Sequence, residues 1–472
     1  MTTSQTATAP AEVTAPAATA TATVPAPAVR PEQYRPRRRL RLLGGGPRRL
    51  GVRTVASLVV LGALCAVAVV GAVGVRHDTT RLRTTVTERA AVAVQLRFAL
   101  ADLDAQRADT LAPGHSASDP DVIVGNQLNA LITAQQRRGQ VSDLLRQLGA
   151  DRDQGKAVAD LLNGLGRYDD LSGRAAYVAE QDPDPVAGHP PRFAVAMNVQ
   201  AGNVMHDQLL PAADALSAAY QRQADDQRAA AHDAAARWTL AVWGAGLAAI
   251  AVLLWWQWDM AREYRRRFNP ALLAATAAAV AVTLTGGLAL SATADAVNAA
   301  DGHGLRPWTR LAEARAVAAQ AAASESRWFV HDTAFGAADQ KQFDGLVKRL
   351  DTLLAPAGYA TDAERPAYQD VLTRYGHFRA DDTKLRALKR SGDTEQAAAV
   401  LTEVGRGDVA FDFWDFATTL DRLAGRQLDD FSAHAGDARS SLDGWPVVPA
   451  GALGLAAALV LVGVRPRLAE YR

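Results

Sequence analysis

The 472-residue chain holds a single cysteine, Cys65. It lies inside an apolar run, so no internal disulfide can staple the fold, and stability has to come from packed apolar faces. No stretch alternates apolar and polar residues with period two, so strands should be rare. No Ser-His-Asp arrangement, zinc-ligand spacing or kinase signature occurs. Gly44-Gly45-Gly46 looks like a phosphate loop only in its glycines, because no Gly-Lys-Ser/Thr follows and no strand precedes it. The dipeptides His77-Asp78, His206-Asp207, His232-Asp233 and His331-Asp332 are scattered along helical segments and read as polar residues on solvated helix faces, as do the pairs Asp381-Asp382 and Asp429-Asp430. These absences argue against an enzyme, a metal, a cofactor or a nucleic-acid partner.

Four apolar runs are present instead, at 55–75, 239–256, 271–290 and 447–464. Each is nearly free of charge and close to the roughly 20 residues that cross a bilayer as a helix. None carries an ionisable group deep inside, which argues against a proton- or ion-coupled transporter. Their many glycines, among them Gly71, Gly246, Gly286 and Gly287, predict a compact four-span bundle. Arginines crowd the segment before the first span, the loop Arg262, Arg265, Arg266 and Arg267, and the tail Arg465, Arg467 and Arg472. The positive-inside rule makes all three cytoplasmic. The whole chain is only +1, so the two long segments between span pairs are acidic and lie outside. Trp238 and Trp445 mark the outer membrane edge, and Trp255, Trp256 and Trp258 the inner one.

The expected organisation is a basic leader at 1–53, disordered in its Ala/Thr/Pro/Val tract, and an uncleaved anchor span at 54–75. An outer helical bundle at 76–237 and a span at 238–257 follow. A basic loop at 258–269 leads to a span at 270–290, a second outer bundle at 291–444, a span at 445–464 and a tail at 465–472. A constant shift aligns Trp238 with Trp445, Arg167-Tyr168 with Arg374-Tyr375 and Glu263-Tyr264-Arg265 with Glu470-Tyr471-Arg472, so the chain reads as a tandem duplication. Helices are predicted at 80–111, 125–148, 157–180 and from Pro191 or Pro211 into span two. In the second unit they fall at 311–335, 340–354, 362–391 and 394–442, the last broken near Gly405-Arg406-Gly407. The fold class is all-α: four transmembrane helices carrying two extracytoplasmic antiparallel bundles.

Two aromatic clusters admit two readings each. Phe411, Phe413, Trp414 and Phe416 project over more than one side of a helix, as bundle core or as an outward patch for a partner or a sister subunit of a homodimer. Arg327-Trp328-Phe329 is either a buried tryptophan with a snorkelling arginine or a site for a carboxylate-bearing small molecule.

Outer helical domains on paired spans resemble the sensor modules of bacterial chemoreceptors and sensor kinases, although no kinase or methyl-accepting coiled coil follows here. More closely, the architecture from 54 to 472, with Arg167-Tyr168, Arg374-Tyr375 and the two Glu-Tyr-Arg endings as landmarks, resembles the actinobacterial GlnX-type four-span proteins of amino-acid sensing. That resemblance implies a solute-binding lipoprotein as outer partner and a soluble Ser/Thr kinase as inner partner. Glu263, Tyr264, Arg265, Glu470, Tyr471 and Arg472 are then the expected output residues, and Arg327, Trp328, Phe411 and Trp414 the expected outer contacts. The competing expectation is a structural or assembly protein of the cell envelope.

Overall fold

The computed structural model describes residues 46–81, 87–264, 269–331, 333–359, 361–440 and 443–469. The leader at 1–45, Arg265 and the ending Glu470-Tyr471-Arg472 lie outside the described residues. The protein is an all-α membrane protein; among the described residues the one sheet is a two-stranded antiparallel pair, β1 (Gly114–His115) and β2 (Ile123–Val124).

Four helices are long and apolar enough to cross a membrane: α1 (Gly46–Arg81), α6 (Leu210–Tyr264), α7 (Pro270–Ala300) and α13 (Val447–Ala469). They close a ring in the order α1, α6, α7, α13. Leu64, Leu253, Leu272, Ala275 and Val460 fill its centre, while Leu240, Leu247 and Leu254 of α6 form an exposed row at heptad spacing, as a lipid-facing stripe does. Glycine sets the closeness. A Cβ on Gly71 would stand 3.1 Å from the Trp238 ring, and one on Gly286 would stand 2.9 Å from Trp445. The two tryptophans expected at the membrane edge therefore seat in glycine notches of the neighbouring span, once in each half of the duplication. Trp256, expected at the opposite edge, turns inward and is fully buried. Asn269 Nδ2 donates to the Gly463 carbonyl at 3.2 Å and Gln257 Nε2 to Thr276 Oγ1 at 2.8 Å, tying α7 to α13 and to α6. Gly246 lies directly against the Thr283 side chain. Gly246→Val should therefore force α6 and α7 apart, and disulfide crosslinking between cysteines introduced on facing positions of these helices should fall to background.

The polar segments build one body. The first supplies α2 (Thr87–Asp109), α3 (Gln127–Leu148), α4 (Gly155–Glu180), α5 (Arg192–Val204) and the start of α6. The second supplies α8 (Arg306–Val330), α9 (Thr333–Leu353), α10 (Arg365–Ser391), α11 (Thr394–Thr402) and α12 (Val409–Ser440). α2 and α8 lie side by side at the centre, with α3 and α6 flanking α2, and α9 and α12 flanking α8. The central pair can approach closely because its buried faces are largely alanine, including Ala93, Ala99, Ala101, Ala314, Ala318 and Ala321. A single hydrophobic core runs through both segments. Local signals close the helices: Asn126 caps α3 by accepting from the Asn129 amide at 3.0 Å, and Gly392 ends α10 at φ +84°.

Among the described residues, body and spans are joined by unbroken helix at two places. α5 passes into α6 through a π-helical turn, Met205–Leu209, and α7 passes into α8 through another, Asp301–Leu305. Asp301 pairs with Arg228 of α6 and, at 2.8 Å, with Arg306 of α8, pinning the second turn between the two helices. A turn with Gly444 at φ +80° separates α12 from α13. The helix predicted at 311–335 also ends early, at Val330. His331 is extended (φ −81°, ψ 150°), and Lys389 Nζ donates to the carbonyls of Trp328 and Phe329 at 2.7 and 2.6 Å, satisfying helix-end acceptors from outside.

Candidate functional site

The seam between α2 and α8 carries a buried polar network centred on Arg327, which is 2% exposed. Its guanidinium pairs with Asp104 of α2 and, through Nε at 3.0 Å, with Asp339 of α9. Nη2 contacts His206 Nε2 at 2.6 Å and Ser324 Oγ at 3.2 Å. Gly202 leaves room for the arginine stem, since a Cβ there would stand 3.2 Å from its Cδ. Asp104 also accepts from Tyr168 of α4 at 3.1 Å. His331 Nδ1 lies 2.7 Å from Asp339 Oδ2 and its Nε2 3.0 Å from Asn198 Oδ1 of α5. The network thus joins α2, α4, α5, the first π turn, α8 and α9. Burial pushes Asp339 up, but the His331 hydrogen bond and the Arg327 charge prevail and hold its carboxyl below the usual value. Burial, then the Arg327 charge, lowers His206 to about 3, so its imidazole is neutral and accepts from the guanidinium.

Three surface assignments from sequence are corrected here. His206 is partly buried, and His331, Asp381 and Asp382 are buried. The polar partners of His206 and His331 come from other helices, and helical periodicity within one segment cannot reveal them. His77 is exposed, as are Asp429 and Asp430. A carboxylate cluster lies further along the seam. Glu325 is fully buried, and burial, then Asp382, raises its carboxyl well above the ordinary range.

Arg327 already holds two carboxylates and is sealed from solvent. Its neighbour Trp328 is half-buried beneath Arg386 and Lys389, which stack on its ring at 4.5 Å each. The aromatics of α12 divide by face. Phe413 and Phe416 enter the core and pack on Phe378, with Phe416 also on Tyr375. Phe411 and Trp414 stay on the open side, with ring centroids 5.9 Å apart and Trp414 55% exposed. The cluster is therefore divided between the core and the open side of α12.

Phe411 and Trp414 line an open cavity of about 330 Å³ between α2 and α3 of the first segment and α12 of the second. Its floor is Phe98, with Arg137 Cζ 5.2 Å and Arg315 Cζ 3.8 Å from the ring centroid. Arg137 pairs with Asp102 and Arg315 with Asp421. Gln106, Asn129, Thr133 and Thr418 add polar groups to the wall. Sequence reading missed Arg137 and Arg315, since each lies on a different helix and neither neighbours an aromatic in sequence. Among the described residues no cluster of three His, Cys, Asp or Glu side chains could hold a metal ion.

Of the six expected output residues, Glu263 and Tyr264 close α6 at the end of the spans away from the body, and the other four lie outside the described residues. At that end Arg53 of α1 pairs with Asp259 of α6 and stacks on Trp255 at 5.4 Å, and Arg262 stacks on Trp258 at 3.6 Å.

Residues 78–229 match the family model described as Actinobacterial sensor domain. The match begins at the end of α1, covers α2 to α5 and ends within α6, before the second span. It supports a sensor protein of actinobacteria and a non-catalytic role. No curated protein and no solved structure matches the chain.

Proposed function

We propose that this protein is a transmembrane sensor and adaptor whose helical body lies outside the cell and whose two ends lie inside. The observation that carries the reading is α6. It leaves the sensor-matched segment and runs 55 residues, Leu210–Tyr264, through the spans to the opposite end. At 1.5 Å per residue such a helix reaches about 80 Å. A rigid rod of that length transmits a displacement that a chain of loops would absorb. α7 and α8 form a second continuous connection, packed against α6 in the ring. A signal that favours one packing of α2 on α8 would be handed to both rods, and only differential affinity for two packings can drive that shift.

The input is a liganded solute-binding lipoprotein docked on the body, and the output is read by a separate cytoplasmic protein such as a Ser/Thr kinase, through Glu263-Tyr264-Arg265 and Glu470-Tyr471-Arg472. The arginines of the leader, of the loop at 258–269 and of the tail, all on one side of the spans, support the orientation. Substituting Tyr264 and Tyr471 together by alanine should abolish partner phosphorylation in cells while leaving membrane insertion and melting unchanged; an unaltered phosphorylation response would remove these residues from the relay. The reading as a whole is tested by crosslinked pull-down of tagged protein from native membranes, with and without added amino acids. A binding lipoprotein and a kinase whose recovery changes with amino acids are expected. Recovery of wall-assembly or secretion proteins alone, insensitive to amino acids, would make the protein a structural component of the envelope.

A further inference from the structure

We propose that the cavity between α2, α3 and α12 binds a small organic carboxylate carrying one aromatic or flat apolar group. The identity of the ligand follows from three features of the wall. First, two guanidiniums are gathered against one ring, Phe98, with Arg315 almost in van der Waals contact and Arg137 close by. Like charges held together in a part-buried site repel, and burial together with Arg137 pulls the Arg315 guanidinium below its usual pKa, against the opposing pulls of Asp421 and of Asp102 on the cavity wall. An anion between them relieves that repulsion.

Second, donors remain to receive the anion. A guanidinium offers five N–H groups. Arg315 bonds Asp421 through Nη1, and its Nε is buried and has no partner among the described residues. Arg137 bonds Asp102 through Nε and Gln140 through Nη1 at 2.8 Å, leaving its Nη2 edge for a carboxylate. The planar fork suits a carboxylate better than a neutral acceptor.

Third, the opposite wall is aromatic. Trp414 is more than half exposed beside the cavity although α12 has a core face available to it. Tryptophan on an open cavity wall covers a flat apolar group well. A volume of about 330 Å³ is at the lower end for ligand pockets, which admits one ring with a short acidic arm and excludes a folded partner. Because α2 and α3 belong to one segment and α12 to the other, an occupant would fix their spacing. That consequence rests on the sensor reading above; the binding itself does not.

The test is calorimetric titration of the full-length protein in nanodiscs with phenylacetate and indole-3-acetate, and with acetate and benzyl alcohol as the separated halves of the ligand. Saturable binding of an aryl acetate, with both halves at least about tenfold weaker (roughly 1.4 kcal/mol), is expected. Arg137→Gln should weaken the aryl acetate by at least about tenfold. Trp414→Ala, at an exposed position that cannot compromise the core, should weaken it several-fold, and Thr418→Phe should abolish it by filling the cavity. Melting curves identify any variant that fails to fold. Absence of saturation by both aryl acetates, or binding unchanged in Trp414→Ala and Thr418→Phe, overturns the assignment. Spin labels on α6 and α13 separate this from the relay: binding without any change in span distances sinks the coupling of this cavity to the spans and leaves the ligand class standing, whereas partner signalling without binding sinks only the ligand class.

Discussion

Arg327→Met should lower the stability of the body by about 3–5 kcal/mol, the range for removing one member of a buried ion pair. In detergent or nanodiscs this would read as a fall of about 5–10 °C in the apparent melting midpoint. The cause is what remains behind. Asp104 and Asp339 would keep their buried positions without the cation that serves both. Burial already pushes the Asp104 carboxyl up against the pull of Arg327 and the Tyr168 hydrogen bond, so without the guanidinium it would take a proton, and His206 would lose its donor. Neutralising both acids in the same background, Arg327→Met with Asp104→Asn and Asp339→Asn, should recover much of the loss, because a core without charges avoids the desolvation cost altogether. A triple variant no better than Arg327→Met would show that the arginine acts through its packing and not through its charge. The network joins residues 223 positions apart, so its loss should also loosen α2 from α8. Protease accessibility near the π turn at 205–209 would report that opening independently of the melt.

Much of the scaffold is legible in the sequence because its signals are local. Charge-free apolar runs mark the spans, and Gly149, Gly392 and the break near Gly405 mark helix ends. What is illegible is pairing across helices. Arg327 beside Trp328 suggests an aromatic anion site, yet the anions it meets are Asp104 and Asp339, neither adjacent in sequence. A grouping of arginines with aromatics open to solvent lies instead around Arg137, Arg315 and Trp414, on three separate helices. The turn between α12 and α13 is also a local signal: Gly444 falls between the helix expected to end at 442 and the span expected from 445. Burial of Asp382 and Glu325 runs against the charged-means-solvated rule, and only the neighbouring helices, crowded around α8, explain it.

Asp109→Asn should stabilise the protein at pH 8 and do little at pH 4. Asp109 lies near the end of α2 against α8, 7% exposed, and its carboxyl is raised to about 7 by burial, a shift that the Ser326 hydroxyl opposes and the nearby Asp102 charge adds to. The folded pKa is therefore above the unfolded value of 3.8. Between about pH 4 and 7 the native state holds a proton that the unfolded chain has released, so stability falls as pH rises through this window and the loss is complete above it. A shift from 3.8 to about 7 corresponds to an upper figure on the order of 4 kcal/mol. Asparagine is nearly isosteric and never ionises, so it should remove the share of the decline that Asp109 carries. His206 works in the opposite sense. Its folded pKa of about 3 lies below the ordinary 6.5, so stability falls as pH drops from about 6.5 towards 3. Between about pH 4 and 6.5 the two contributions offset each other, and Asp109→Asn should move the optimum upward by removing one of the falling contributions. Melting midpoints of both proteins from pH 4 to 9 decide the matter: equal differences at pH 4 and pH 8 would mean that the substitution acts through shape, with the buried carboxyl ionised throughout.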